Sequence, residues 1–161
     1  MQISKEMADQ MNAQVGNELG ASNQYVQIAS HFDGEGLYKL AKFFYDQAEE
    51  EREHAMKFVH YLMDVGSGLS IPAIPATKTD VDSTEKAFEM SLAWEQEVTG
   101  QINTLMDQAI QEKDYASQAF LQWFVTEQVE EVATMENMLQ VVRRAGERNI
   151  LMVEAYLTHA E

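Results

Sequence analysis

The two prolines of this chain, Pro72 and Pro75, stand three residues apart near its middle, and helix-forming sequence runs without proline on either side of them. Proline is the residue least tolerated inside a helix, so its confinement to one place permits very long helices elsewhere. Glycines mark the remaining breaks: Gly34 and Gly36, Gly66 and Gly68, and Gly146. No stretch shows the β-branched alternation of a strand. The spacing predicts helices over about 4–32, 37–65, 82–112 and 115–145, followed by a short fifth over about 149–159. At about 1.5 Å per residue, each of the first four is roughly 45 Å long, and helices of matched length packed side by side make a four-helix bundle.

Inward stripes follow the helical period. The first carries Met7, Met11, Val15, Leu19, Val26 and Ala29, and the second Leu40, Ala41, Phe44, Ala48, Ala55, Phe58 and Leu62. Phe88, Val98, Ile102, Leu105 and Ala109 line the third, and Phe120, Phe124, Met135, Met138 and Val142 the fourth. The first pair and the second pair of helices are each joined by only a few residues, so each is an antiparallel hairpin. The middle connection, 66–81, is much longer. Spanning a bundle of this length takes about 14 extended residues at roughly 3.3 Å each, which this connection supplies. The fold expected is an all-α bundle with a long crossover between helices 2 and 3; a disordered loop in an up-down-up-down bundle is the alternative. Gly16, Gly20 and Gly100 fall inside helices, where each costs about 1 kcal/mol relative to alanine, and they suggest close helix approach.

The residues that interrupt these stripes carry the chemistry. Glu18 and Tyr25 lie seven apart on the first helix, Glu51 and His54 fall between Ala48 and Ala55, Glu95 stands between Ser91 and Val98, and Gln128 and Glu131 repeat the i, i+3 relation. Every long helix thus places a carboxylate near its midpoint. Several buried carboxylates without cations would repel one another and suffer desolvation. A pair of divalent metals resolves this, with Glu51 and Glu131 as bridges and O₂ bound between ions about 3.5–4 Å apart. Di-iron carboxylate bundles use one Glu from each of two helices and Glu-x-x-His from each of the other two. Glu18, Glu95 and Glu51-x-x-His54 fit; Gln128-x-x-Glu131 departs, having no imidazole.

Composition narrows the remaining classes. With 27 acidic and 11 basic residues among 161, the formal charge is −16, which argues against nucleic acid or an anionic membrane as partner and suits cation handling. Cysteine is absent, which removes disulfides, thiolate catalysis and Cys-rich metal sites. No apolar run is long enough to cross a membrane and no leader segment is evident, so a cytoplasmic, single-domain protein over 1–161 is expected. Tyr25 and Trp123 are candidate electron donors, with core packing as the plain alternative for each. Trp94 reads as packing, and His31, His60 and His159 lie away from the cluster.

Four stretches carry a resemblance: NELGASNQY (17–25), AEEEREHA (48–55), WEQEVTGQIN (94–103) and FLQWFVTEQVEE (120–131). The chain resembles non-haem bacterial ferritins over essentially its whole length. That resemblance implies a first iron site of Glu18, Glu51 and His54, and a second of Glu51, Glu95 and Glu131 with Gln128 beside it. It further implies a third site of Glu50, Glu127, Glu130 and Glu131. Tyr25 matches the tyrosine hydrogen-bonded near the centre, and Trp123 the tryptophan near the third site. Bacterioferritins carry a second Glu-x-x-His and a haem-holding Met; here those positions hold Glu131 and Arg52, so no haem is expected. The implied function is oxidation of Fe²⁺ by O₂ or peroxide and deposition of ferric oxyhydroxide inside a cage of 24 subunits. An oxidase or oxygenase acting on an organic substrate, and a non-catalytic acidic bundle that binds proteins, are the competing classes.

Overall fold

The computed structural model describes residues 3–160. Its elements are α1 (Lys5–Gly34), α2 (Tyr38–Asp64), α3 (Thr84–Gln111), α4 (Tyr115–Ala145), a single 3₁₀ turn (Glu147–Asn149) and α5 (Ile150–His159). Three of the four long helices begin on side-chain caps: Ser4 Oγ accepts from Met7 N, Ser83 Oγ from Lys86 N and Asp114 Oδ1 from Ser117 N, each at 3.0 Å. Leu37 gives α2 no such cap. Its first amides are satisfied from α5 instead, where Glu154 accepts from Lys39 N at 2.9 Å and Leu40 N at 2.8 Å. This bond pair and the buried Val153 dock α5 across the end of the bundle. Gly66 and Gly146, at φ 73° and 70°, terminate α2 and α4 in a conformation glycine adopts without steric cost.

The chain forms an all-α four-helix bundle with a long α2–α3 crossover and a short C-terminal helix. The crossover runs along α1 in ascending order: Ser70 N bonds Asn12 Oδ1, Pro72 lies on Gly16, Ile74 on Gly20, and Lys78 N bonds Gln24 Oε1. It therefore returns the chain to the end where α1 finishes. α3 then descends antiparallel to α1, as shown by Tyr25 against Glu95, Asn17 against Gln101 and Ser4 against Glu112. α4 opposes α2 in the same sense, with Phe124 against His54 and Phe120 against Phe58.

Two differences from the sequence reading have simple causes. Val26 is 46% exposed, because the buried face of α1 runs through Glu18 and Tyr25, and the next residue lies about 100° around the helix. Leu19 is likewise displaced to the edge, only half-buried, and so is Phe120 on α4. Gly16 and Gly20 admit the crossover rather than another helix, since a Cβ at Gly16 would stand 2.4 Å from Pro72 Cγ; nothing lies within 4 Å of one at Gly100. Among the described residues no helix is long and apolar enough to cross a membrane.

Candidate metal centre

The buried apolar side chains fall into two clusters, one around Phe32, Phe44 and Phe88, the other around Met11, Phe58 and Phe124. A polar layer separates them. Glu18 and Glu95 are fully buried in it, and Glu51, His54 and Glu131 are 2%, 4% and 5% exposed. The layer arises from helical register: each of these residues occupies a position on its helix's inward stripe where a neighbour one turn away is apolar, so the backbone carries the carboxylate inside with the stripe.

Some of these carboxylates are held by neutral donors. Gln14 Nε2 donates to Glu18 Oε1 at 2.8 Å, the Tyr25 hydroxyl to Glu95 Oε1 at 2.5 Å, and Gln128 Nε2 to Glu95 Oε2 at 3.3 Å. Gln47 Nε2 donates to Glu50 Oε2 at 2.7 Å. Other acceptors are left over: Glu18 Oε2, Glu51 Oε2 and Gln47 Oε1 are buried with no hydrogen-bond partner. Such atoms are expensive unless a cation or proton meets them. Ligand atoms of Glu18, Glu51 and His54 lie within 4.8 Å of one another, and so do those of His54, Glu127 and Glu131. The imidazole joins the two groups, with Nδ1 3.4 Å from Glu51 Oε2 and Nε2 3.9 Å from Glu127 Oε1.

Burial governs the protonation of this layer. Desolvation, reinforced by Glu95, pushes Glu18 up to about 7. Desolvation together with the charges of Glu95, Glu50 and Glu127 takes Glu131 up to about 9. Glu51 is raised well above the usual carboxylate range by burial and by Glu18. Glu95 is raised by burial despite the bonds from Tyr25 and Gln128. Burial also holds the Tyr25 hydroxyl protonated, with nearby carboxylates adding to the effect. His54 is lowered to about 4 by burial and by Lys57, so it is a neutral imidazole with a lone pair to offer.

On the α2–α4 side, Glu50, Glu127, Glu130 and Glu131 line a cavity of about 360 Å³ with Phe43, Asp46, Gln47 and Thr134. Trp123, 39% exposed, meets the His54 ring edge-on at 5.4 Å and carries Lys57 Nζ 4.4 Å from its ring centroid. His31 pairs with Glu35 at 3.6 Å, and His60 and His159 are exposed. Sequence reasoning missed Gln14 and Gln47. Their signal was available in the spacing, since Gln14 precedes Glu18 by four residues and Gln47 precedes Glu50 by three.

Buried carboxylates contributed by all four helices of a bundle, in one layer with a neutral imidazole, define a class: divalent-metal-binding helical bundles. Residues 8–145 match the family model for the ferritin-like domain, and the chain belongs to the ferritin-like family. It is 41% identical to the bacterioferritin BfrB of Mycobacterium tuberculosis over 147 residues, which is 91% of this chain and 81% of that protein. Against the bacterial non-heme ferritin of Staphylococcus saprophyticus it is 39% identical, covering 90% of this chain and 87% of that one. Its fold superposes on the open-pore ferritin of Archaeoglobus fulgidus with a TM-score of 0.93, at 35% identity and over 96% of each chain.

Proposed function

We infer that this chain is an iron-storage ferritin subunit with ferroxidase activity, and that the polar layer is where Fe²⁺ binds and is oxidised. The observation that carries this reading is the set of buried, mutually repelling carboxylates with unpartnered oxygens, among them Glu18 Oε2 and Glu51 Oε2. Carboxylates that ionise as a cation arrives, with one neutral imidazole beside them, suit a borderline divalent metal.

In this reading Glu18, Glu51 and His54 hold the first iron and Glu51, Glu95 and Glu131 the second, with Gln128 beside it. Glu50, Glu127, Glu130 and Glu131 form a third site. Tyr25 keeps its proton and hydrogen-bonds through it to Glu95 Oε1 while Gln128 donates to Oε2, so the two together fix the orientation of that carboxylate. Tyr25 and Trp123 are the candidate electron donors. Because burial leaves Glu18 partly and Glu131 largely protonated near neutral pH, Fe²⁺ uptake releases protons. Each bound iron then gives up one electron, a pair reducing one O₂ to the peroxide level or one peroxide to water. The ferric product moves on to hydrolyse as oxyhydroxide. We extend the reading to a single domain over 1–161, of which Met1, Gln2 and Glu161 lie outside the described residues, to assembly as a 24-subunit cage, and to the cytoplasm.

The organic-substrate alternative finds little support. The cavity of about 330 Å³ beside Tyr25, Ile28, Met90 and Trp94 is rimmed by Lys78, Lys86, Glu89 and Glu97 and includes none of the inward carboxylates among its lining residues. Anaerobic titration of metal-free protein with Fe²⁺, followed by rapid mixing with air, tests the reading. Two or three irons per chain and oxidation much faster than in buffer are expected, with both lost in His54→Ala. No stoichiometric binding and no acceleration would overturn it.

A further inference from the structure

Two turns beyond His54 on α2, about 10 Å along the helix axis, Tyr61 begins a chain of polar groups that lies outside the polar layer. Its hydroxyl lies 2.9 Å from Ser117 Oγ, and Ser117 Oγ donates to Asp114 Oδ2 at 2.5 Å. A serine hydroxyl has one hydrogen. With that hydrogen committed to Asp114, Tyr61 is the donor in the first bond, and the three groups point one way, from Tyr61 through Ser117 to Asp114. Ser117 is fully buried and Asp114 half-buried, so the relay leads through a packed hydroxyl to a carboxylate that solvent reaches. The start of α4 fixes its outer end, because Asp114 Oδ1 also accepts from Ser117 N. Aromatic contacts join the tyrosine ring to the metal layer. Tyr61 stacks on Phe120 at 4.1 Å and 7°, Phe120 meets Phe124 at 5.4 Å, and Phe124 meets the His54 ring at 6.0 Å. Tyr25 has no such outlet, since its hydroxyl bonds the buried Glu95.

We propose that Tyr61 is an electron donor to the polar layer, with Ser117 and Asp114 as its proton outlet, and that it serves a chain that meets peroxide while holding a single Fe²⁺. Its purpose rests on the ferroxidase reading; the relay and the ring contacts do not. Breaking the O–O bond of peroxide into two hydroxides takes two electrons. A single Fe²⁺ gives one, which alone would leave a hydroxyl radical. Tyr61 gives the second across the packed rings of Phe120 and Phe124, which are harder to oxidise than a phenol and serve only as contacting atoms along the path. A phenol that has lost an electron is a strong acid, so its proton passes to Ser117 Oγ while the Ser117 proton passes to Asp114 Oδ2. In sum, H₂O₂, Fe²⁺, the Tyr61 phenol and the Asp114 carboxylate give Fe³⁺, two hydroxides, a neutral tyrosyl radical and protonated Asp114. A later Fe²⁺ returns the electron and Asp114 the proton. Without the relay the oxidised ring would keep its proton and draw the electron back.

In the test, metal-free protein is given one Fe²⁺ per chain without oxygen, mixed rapidly with H₂O₂ and frozen for EPR. A tyrosyl radical is expected, identified by the narrowing of its spectrum in protein grown with ring-deuterated tyrosine. It should be lost in Tyr61→Phe, which removes only the hydroxyl, and kept in Tyr25→Phe. Asp114→Asn retains an oxygen for the Ser117 amide but not the proton acceptor, and should lower the radical yield severalfold; a purely structural role for the cluster would leave that yield unchanged. No tyrosyl radical, a radical indifferent to Tyr61→Phe or lost equally in Tyr25→Phe, or a yield unchanged in Asp114→Asn would overturn the proposal. The same preparation, given two Fe²⁺ per chain, is mixed with air. Rapid oxidation there without a Tyr61-dependent radical overturns this proposal alone, whereas failure of both removes the ferroxidase reading as well.

Discussion

The two sides of the polar layer differ in how their carboxylates are held. On the α1–α3 side, Glu18 and Glu95 are fully buried and each accepts from a neutral donor, Gln14 for the first and Tyr25 with Gln128 for the second. On the α2–α4 side, Glu50 and Glu130 are exposed, Glu127 is half-buried, and all three open on an acidic cavity together with Glu131. A fixed carboxylate presents one oxygen in one place; an open one can swing, take water and accept ions of varied position. The closed side suits defined geometry for a reaction between two bound ions. The open side suits traffic.

The largest effect should separate the sides directly. Glu95→Gln is expected to reduce the initial rate of Fe²⁺ oxidation by about 100-fold or more, at the upper end of what loss of metal-site support costs. Glu130→Gln should leave the first turnover near that of the unaltered protein and slow later ones. Stopped-flow absorbance over successive Fe²⁺ additions reads both, and equal loss of the first turnover in the two variants would abolish the distinction. Next, Gln14→Ala should weaken Fe²⁺ binding by about tenfold through loss of its bond to Glu18. Gln14→Glu, which keeps the length and adds charge, should not rescue it; anaerobic titration decides.

The third expectation concerns the metal-free protein. Glu18 at about 7 and Glu131 at about 9 both lie above 4.5, so their contribution to stability is complete at low pH and is lost as pH rises through those values. His54, lowered from 6.5 to about 4, acts oppositely and only below 6.5. Between pH 6.5 and 9, therefore, the thermal midpoint of metal-free protein should fall by several degrees, and a saturating divalent cation should flatten the curve. Smaller again, and remote from the metals, Gly16→Ala should cost about 1–3 kcal/mol by overpacking against Pro72, read by chemical denaturation. Gly100→Ala, with open space around it, should lack that cost.

Much of this was legible in the sequence because a carboxylate that breaks an apolar stripe at the helical period has nowhere else to point. Glu51 and His54 are found that way, and Glu95 between Ser91 and Val98. Val26 was misplaced for the converse reason: following apolar residues alone moves the stripe one position off Glu18 and Tyr25, the residues at its centre. The Gln14 bond was hidden because glutamine reads as surface. The two directions of His54 depend on a ring orientation set by Trp123 and Phe124, which meet it edge-on from another helix. No single-helix pattern encodes that.

The crossover has a further consequence. Its attachments climb α1 from Asn12 to Gln24, while α3 begins where it ends. It therefore acts as a ruler between the two hairpins. The axial height at which Glu95 and Glu131 meet Glu18 and Glu51 is measured out by the residues between Val65 and Ser83, none of which lies in the polar layer. Shortening that segment would slide one hairpin past the other, and about 1.5 Å of slide per helical residue is enough to spoil a metal site whose donors must agree to a few tenths of an ångström.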